Sequence, residues 1–303
     1  MLITHNISLA RTVKITWKTD LILLVSCVAA HLFDQWVISK QFRMPAMIPT
    51  VLGSALAFFI GFNNNQAYAR WWEARQIWGS LVNNSRSWAR SLLGYTSAEA
   101  NHERLLHEMQ KRMIRRHIGF LYALKAMLRN EPVQEYKKYL SDAEVAPVEQ
   151  HSNKHNAILG LQTDDLELLY QKGWIDGFKF MEINALLTDF CNDMGKSERI
   201  KNTIFPTTYN YFTRLFIWVF SLLITIVVSE ETGIWSVLLG FIVGFVFHTT
   251  HTIGMSLLNP FESLAAGVPI NQITRTIEIN LLEMLGETNL PPPVKAINNE
   301  YVL

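Results

Sequence analysis

Charge is scarce in this chain. Asp, Glu, Lys and Arg make up 17% of its 303 residues, where soluble domains average about 25%. A hydrophobic fraction of 49% with a mean hydropathy of +0.11 points instead to a membrane protein with a substantial polar part. The net charge of +1 supplies no basic surface for nucleic acid and no acidic one for a basic partner. Cysteine is nearly absent: Cys27 and Cys191 form no CxxC pair and no disulfide framework, so both are expected as reduced thiols, one facing membrane and one cytoplasm. No HExxH, GxSxG, P-loop or GxGxxG occurs and the carboxylates are scattered, so no enzyme site, cofactor or metal centre is expected. No useful length alternates with period two, which excludes a sheet. The residues ahead of the first apolar run are too many and too polar for a signal n-region, and no small-residue cleavage site follows that run. A cleaved signal peptide is therefore not expected.

What the chain does have is long apolar runs. Four segments, about 20–38, 45–64, 211–229 and 235–258, approach the ~20 residues that cross a ~30 Å hydrocarbon core. The first is the weakest, with Asp20, His31 and Asp34 in or near it. Flanking charge sets the orientation. Arg11, Lys14 and Lys18 precede the first span, Arg70 and Arg75 follow the second, and Lys196, Arg199 and Lys201 precede the third, whereas the loop near 230–234 holds Glu230 and Glu231 without a base. By the positive-inside rule both termini and the long middle segment lie in the cytoplasm. The fold expected is an all-α membrane protein with four transmembrane helices and interleaved cytosolic helices over about 66–210 and 262–290. Because membrane pairs flank the middle helices, residues 1–303 are read as one composite unit.

The second span has an unusual profile. PAMIPTVLGSALAFFIGFNNNQAYARWW, Pro45 to Trp72, begins as a membrane-grade helix and ends, without a break, as an amide-rich basic one. Ser54, Phe58 and Phe62 recur every four residues and Asn65 follows three later. At about 100° per residue all four fall within roughly an 80° arc. A stripe of aromatic rings leading to an amide at the water boundary suits a narrow pore lining, and it suits ordinary helix packing as well. Spacing alone leaves both open.

Elsewhere the readings are blander. Glu103 to Asn130 and Asp164 to about Ser197 carry helical periodicity, with a short helix and loops over 131–156. The basic cluster KRMIRRH, Lys111–His117, is read as a solvated helix face. His31 and Asp34, three apart, are expected to share a structural hydrogen bond. His248 and His251 lack further ligands and are not read as a metal site. Arg214 is expected to snorkel, and Trp71, Trp72 and Trp78 to anchor the inner helix against its neighbours. Asn259-Pro260-Phe261 stops the last span. Ile270, Ile273, Ile277, Leu281 and Met284 then make a stripe for a partner helix, and a Pro-rich tail follows that wraps a neighbour or is disordered.

The string GFNNNQAYARWWEARQIWG, Gly61–Gly79, the two membrane pairs around a helical block and the NPF after the last span together resemble the bestrophin family in its bacterial branch. The resemblance covers essentially the whole chain. It implies a pentameric channel for small monovalent ions in the bacterial inner membrane, a homo-oligomer with lipid around it and four membrane helices per subunit. It also implies a hydrophobic neck lined by the second helix, whose positions match Ser54, Phe58 and Phe62, with Asn65 at the inner mouth. A second, cytosolic constriction falls at Met181. Ser54 stands where many relatives carry an aliphatic residue. Animal bestrophins hold Ca²⁺ with acids after the last membrane helix, but NPFESLAAGVPINQI offers only Glu262, so no calcium clasp is expected. Anion and cation selectivity both remain open. The competing reading is a membrane-anchored helical scaffold without conductance.

Overall fold

The computed structural model describes residues 9–41, 43–132, 134–298 and 300–303, with side chains from residue 16 onward. The side chains of Arg11 and Lys14, on which part of the orientation rests, lie outside that set. In chain order the α-helices are α1 (Leu9–Phe33), α2 (Met47–Tyr95), α3 (Glu103–Arg129), α4 (Asp142–Gln150), α5 (Lys154–Gln171), α6 (Gly177–Asn202), α7 (Thr207–Thr232), α8 (Trp235–Met255) and α9 (Ile270–Met284). A π-helical turn, Asp34–Ile38, continues α1, and a 3₁₀ turn, Glu135–Tyr139, precedes α4. Among the described residues the only β pairing is an isolated bridge between Ile297 and Tyr301.

Chain contacts divide the described residues into two compact units, 9–71 with 204–258, and 72–203 with 259–303. Among the described residues four helices are long and apolar enough to cross a membrane, with candidate spans Thr16–Ile38, Met47–Tyr95, Thr207–Thr232 and Trp235–Met255. The second is 49 residues long, about 74 Å at 1.5 Å per residue, more than twice a hydrocarbon core.

In the first unit, small residues let α7 and α8 approach closely. A Cβ on Gly240 would run into the Thr225 hydroxyl and one on Gly244 into the Ser221 hydroxyl. Those hydroxyls donate back to Ser221 O at 2.7 Å and Ile217 O at 2.8 Å, so the close contact leaves no donor stranded. Leu23, Cys27 and Val237 join α1 to this pair, with Trp218 and Phe241 beside them. Leu56, Ile60, Ile217 and Phe220 join α2 to it, with Val243 and Phe247. The expected His31–Asp34 pair is corrected here. His31 Nδ1 lies 2.8 Å from Ser229 Oγ and 3.2 Å from Ser236 Oγ, and Nε2 lies 3.1 Å from Gln35 Nε2. Hydroxyls on α7 and α8 satisfy the ring before the carboxylate does.

In the second unit α3 is the central element, packed by α5, α6, α9 and the 3₁₀ turn. That corrects the reading of Lys111–His117 as a solvated face. Arg116 is buried, with Asp165 at 2.5 Å and Glu144 as its second partner. Arg112 also reaches Asp165, at 2.6 Å, while Arg115 at 2.8 Å and Lys111 at 3.3 Å share Glu287. Of the four bases only Arg116 leaves water, and the two carboxylates it meets offset the cost of burying its charge.

His117 is wholly buried, its Nε2 2.8 Å from Ser85 Oγ and its ring 4.2 Å from that of Phe190. Burial pushes its pKa from 6.5 down to about 3. Between those values the unfolded chain takes up a proton that the folded chain refuses. The stability it confers is therefore complete above pH 6.5 and is lost as pH falls toward 3, by about 1.4 kcal/mol per pH unit. His155, also shifted down by burial, acts in the same direction. Replacing His117 by Asn, a neutral hydrogen-bonding residue, should flatten the loss of unfolding temperature between pH 6.5 and 4. An unchanged slope would contradict this.

The helical pattern read over 164–197 is interrupted. α5 ends before Gly173 at φ +70°, and α6 restarts after Asp176, whose carboxylate accepts from the amides of Phe178 and Lys179, both at 2.9 Å. Four residues of the α9 stripe, Ile270, Ile273, Ile277 and Leu281, are buried as expected, with α3 as the helix α9 packs on, while Met284 is half-buried. The tail returns to its own chain: Val302 is buried and the Gln272 amide donates to Leu303 O at 2.9 Å. The expectation of a disordered tail is corrected accordingly.

Candidate pore-lining face

Two faces of the membrane part of α2 have opposite fates. Leu56, Ile60, Asn63 and Ala67 are buried, at 2%, 3%, 1% and 0% exposure. Ser54, Phe58, Phe62 and Asn65 are exposed, Phe58 at 71% and Phe62 at 47%. At about 100° per residue the two sets are centred roughly 180° apart. The chain thus spends the opposite face on its own packing and leaves the stripe uncovered, so packing within the chain does not account for it.

The three consecutive amides separate by the same geometry. Asn63 Nδ2 donates to Thr213 Oγ1 at 3.0 Å and Asn64 Nδ2 to Thr250 O at 3.1 Å. Asn65 stays on the open side. Asn is a poor helix former, and the first two amides are held in the helix by these bonds to α7 and α8. Gly254 completes the seat, since any Cβ there would collide with the Asn64 amide. Asn63 and Asn64 are positioning residues that sequence reasoning missed. Their signal was present as three amides in a row within a helix.

Along the stripe there is no charge. The Ser54 hydroxyl donates to Thr50 O at 3.0 Å, leaving its oxygen lone pairs free. Phe58 meets Phe59 edge to face with ring centres 6.2 Å apart. Asn65 has both a donor and an acceptor to offer. Met181 is on α6, in the other unit, at 65% exposure. Trp78 is fully buried, in keeping with an anchor, whereas Trp72 keeps 46% of its surface exposed. Arg214 is exposed. His251 Nε2 lies 2.9 Å from Asn210 Oδ1. Among the described residues no group of three or more His, Cys, Asp or Glu could hold a metal ion.

The family model described as Bacterial/Fungal Bestrophin protein matches residues 6–283. The voltage-dependent anion channel-forming protein YneE of Salmonella typhi is 28% identical over 243 residues, 80% of this chain and 77% of that one. The voltage-dependent anion channel-forming protein alr2987 of Nostoc sp. is 26% identical over 262 residues, 84% of this chain and 83% of that one. The crystal structure of a bacterial bestrophin homologue from Klebsiella pneumoniae superimposes with a TM-score of 0.82 at 23% identity, covering 90% of this chain and 100% of that chain.

Proposed function

Because the chain belongs to the bacterial and fungal bestrophin family, we propose that it is an ion channel whose copies, five in number, set the Ser54–Phe58–Phe62 face of α2 around a common axis. The observation that carries this reading is the uncovered aromatic stripe lying opposite the face that packs. Rings of Ser54, Phe58 and Phe62 would stack about 6 Å apart at 1.5 Å per residue. With no fixed charge, the neck acts on permeant ions through its diameter and the cost of partial dehydration. Phenyl edges are weakly positive and favour an anion slightly. The lone pairs of Ser54, whose only hydrogen is held by Thr50 O, suit a cation, while the amide of Asn65 at the inner mouth accommodates either sign. Relatives are named for anions, which agrees with the phenyl edges. Met181 forms the cytosolic constriction, where a flexible thioether makes a soft apolar ring.

The protein sits in the bacterial inner membrane with both termini in the cytoplasm, following the flanking charge. Exposed Leu21, Val25, Leu239, Ile242 and Val246 suit contact with lipid or with neighbouring copies. The scaffold reading loses its two best surfaces, since the α9 stripe is buried and the tail closes on its own chain. The test is the reversal potential of the purified protein in a planar bilayer under a KCl gradient. A current that reverses near the chloride or the potassium equilibrium potential supports the channel and assigns the sign. No current from an intact oligomer would favour the scaffold.

A further inference from the structure

We propose that Phe178, one turn ahead of Met181 on α6, forms a second apolar ring of the cytosolic constriction. This rests on the assignment of Met181 to that constriction. Phe178 is 92% exposed, the most exposed large hydrophobic side chain among the described residues. Its position is fixed by the Asp176 cap, whose carboxylate accepts from the Phe178 amide at 2.9 Å. The ring therefore stands on an ordered first turn. The face of α6 that packs is a different one, with Ile183, Leu187 and Phe190 buried. Phe178 and Met181 are three apart and share the open face, about 4.5 Å apart along the axis at 1.5 Å per residue.

Beyond them the open face turns polar, with exposed Glu182, Thr188, Asp189 and Asn192. The large apolar side chains of that face are thus confined to two in the first two turns, with only the small Ala185 exposed beyond them. That is far below the roughly 800 Å² per partner of a stable protein interface, but it suffices for a narrow collar when repeated around an axis. A polar face interrupted by one apolar collar is the pattern of a conduction path with a hydrophobic constriction, which acts through diameter and dewetting. Phe178 is the larger and stiffer of the two groups, so it sets the size limit, while Met181 supplies the adaptable tier.

The test is single-channel conductance, in symmetric KCl, of intact oligomers of Phe178→Ala, Phe178→Leu and Phe178→Trp beside Met181→Ala. Expected is a graded series in which conductance rises as the side chain at 178 shrinks, at least twofold for Ala, and falls for Trp. The Ala variant should also pass a larger organic ion of the permeant sign. A role confined to folding would not order conductance by side-chain volume, and the Leu variant keeps the series readable should Trp prevent assembly. A flat series with a raised conductance in Met181→Ala overturns the role of Phe178 and leaves the Met181 constriction standing. A flat series together with an unchanged Met181→Ala overturns both.

Discussion

Replacing Phe58 and Phe62 together by Ala should raise single-channel conductance several-fold and weaken closure, while leaving the subunit folded. Two of the three rings in the proposed neck would be phenyl groups that this chain leaves largely open, at 71% and 47% exposure, so their removal spares the packed face of α2. The barrier of an uncharged neck is the cost of stripping water from the ion and of wetting an apolar throat. Both costs fall as the throat widens. A tenfold rise in current corresponds to about 1.4 kcal/mol off that barrier. The contrasting substitution is Ile60→Ala on the opposite face, 3% exposed in the cluster with Leu56, Ile217 and Phe220. It should cost about 2–5 kcal/mol of stability. If Phe58→Ala/Phe62→Ala leaves the current unchanged, the two rings are not in the pore.

The second large effect concerns the unit built around α3. Arg116→Ala should destabilise it by about 3–5 kcal/mol, because Asp165 and Glu144 lose the buried cation between them. The side chains of Arg116 and Asp165 are 7% and 9% exposed, so water cannot readily replace the guanidinium. Arg112 remains on Asp165 at 2.6 Å, but it is half open to solvent and does not reach the second carboxylate. Thermal unfolding of the purified oligomer measures the change. Arg104→Ala is the reference, since its bond to Glu108 is a surface i,i+4 pair worth about 0.3–0.5 kcal/mol. Equal unfolding temperatures for the two variants would contradict a structural role for the network.

Which parts of this were legible follows from how far each signal reaches along the chain. The membrane helices and the α9 stripe are patterns of apolar residues at helical spacing, and each appears within a single window of sequence. The Ser54–Phe58–Phe62 stripe is legible in the same way. Its openness is not, because that depends on Leu56 and Ile60 finding Ile217 and Phe220 far along the chain. The basic cluster misled for the same reason: its acids stand 28, 49 and 172 residues away, beyond any local pattern. His31 likewise found hydroxyls on α7 and α8. The break at Gly173 carried a local signal, a lone glycine before Trp174, but continuing periodicity on both sides hid it. For the site, spacing supplied the stripe, the family resemblance supplied its proposed neck role, and the fold supplied Asn63, Asn64 and Gly254 as the groups that hold the helix in place.

The most direct test of the pore assignment is current block after thiol modification. Cysteine would be placed singly along residues 51 to 66 in a Cys191→Ser background, so that the exposed native thiol is removed. Block by a bulky thiol reagent is expected at 54, 58, 62 and 65 and none at 56, 60 or 63, a pattern with the period of the helix. Block without that periodicity, or none at the four stripe positions once labelling there is verified, would contradict it.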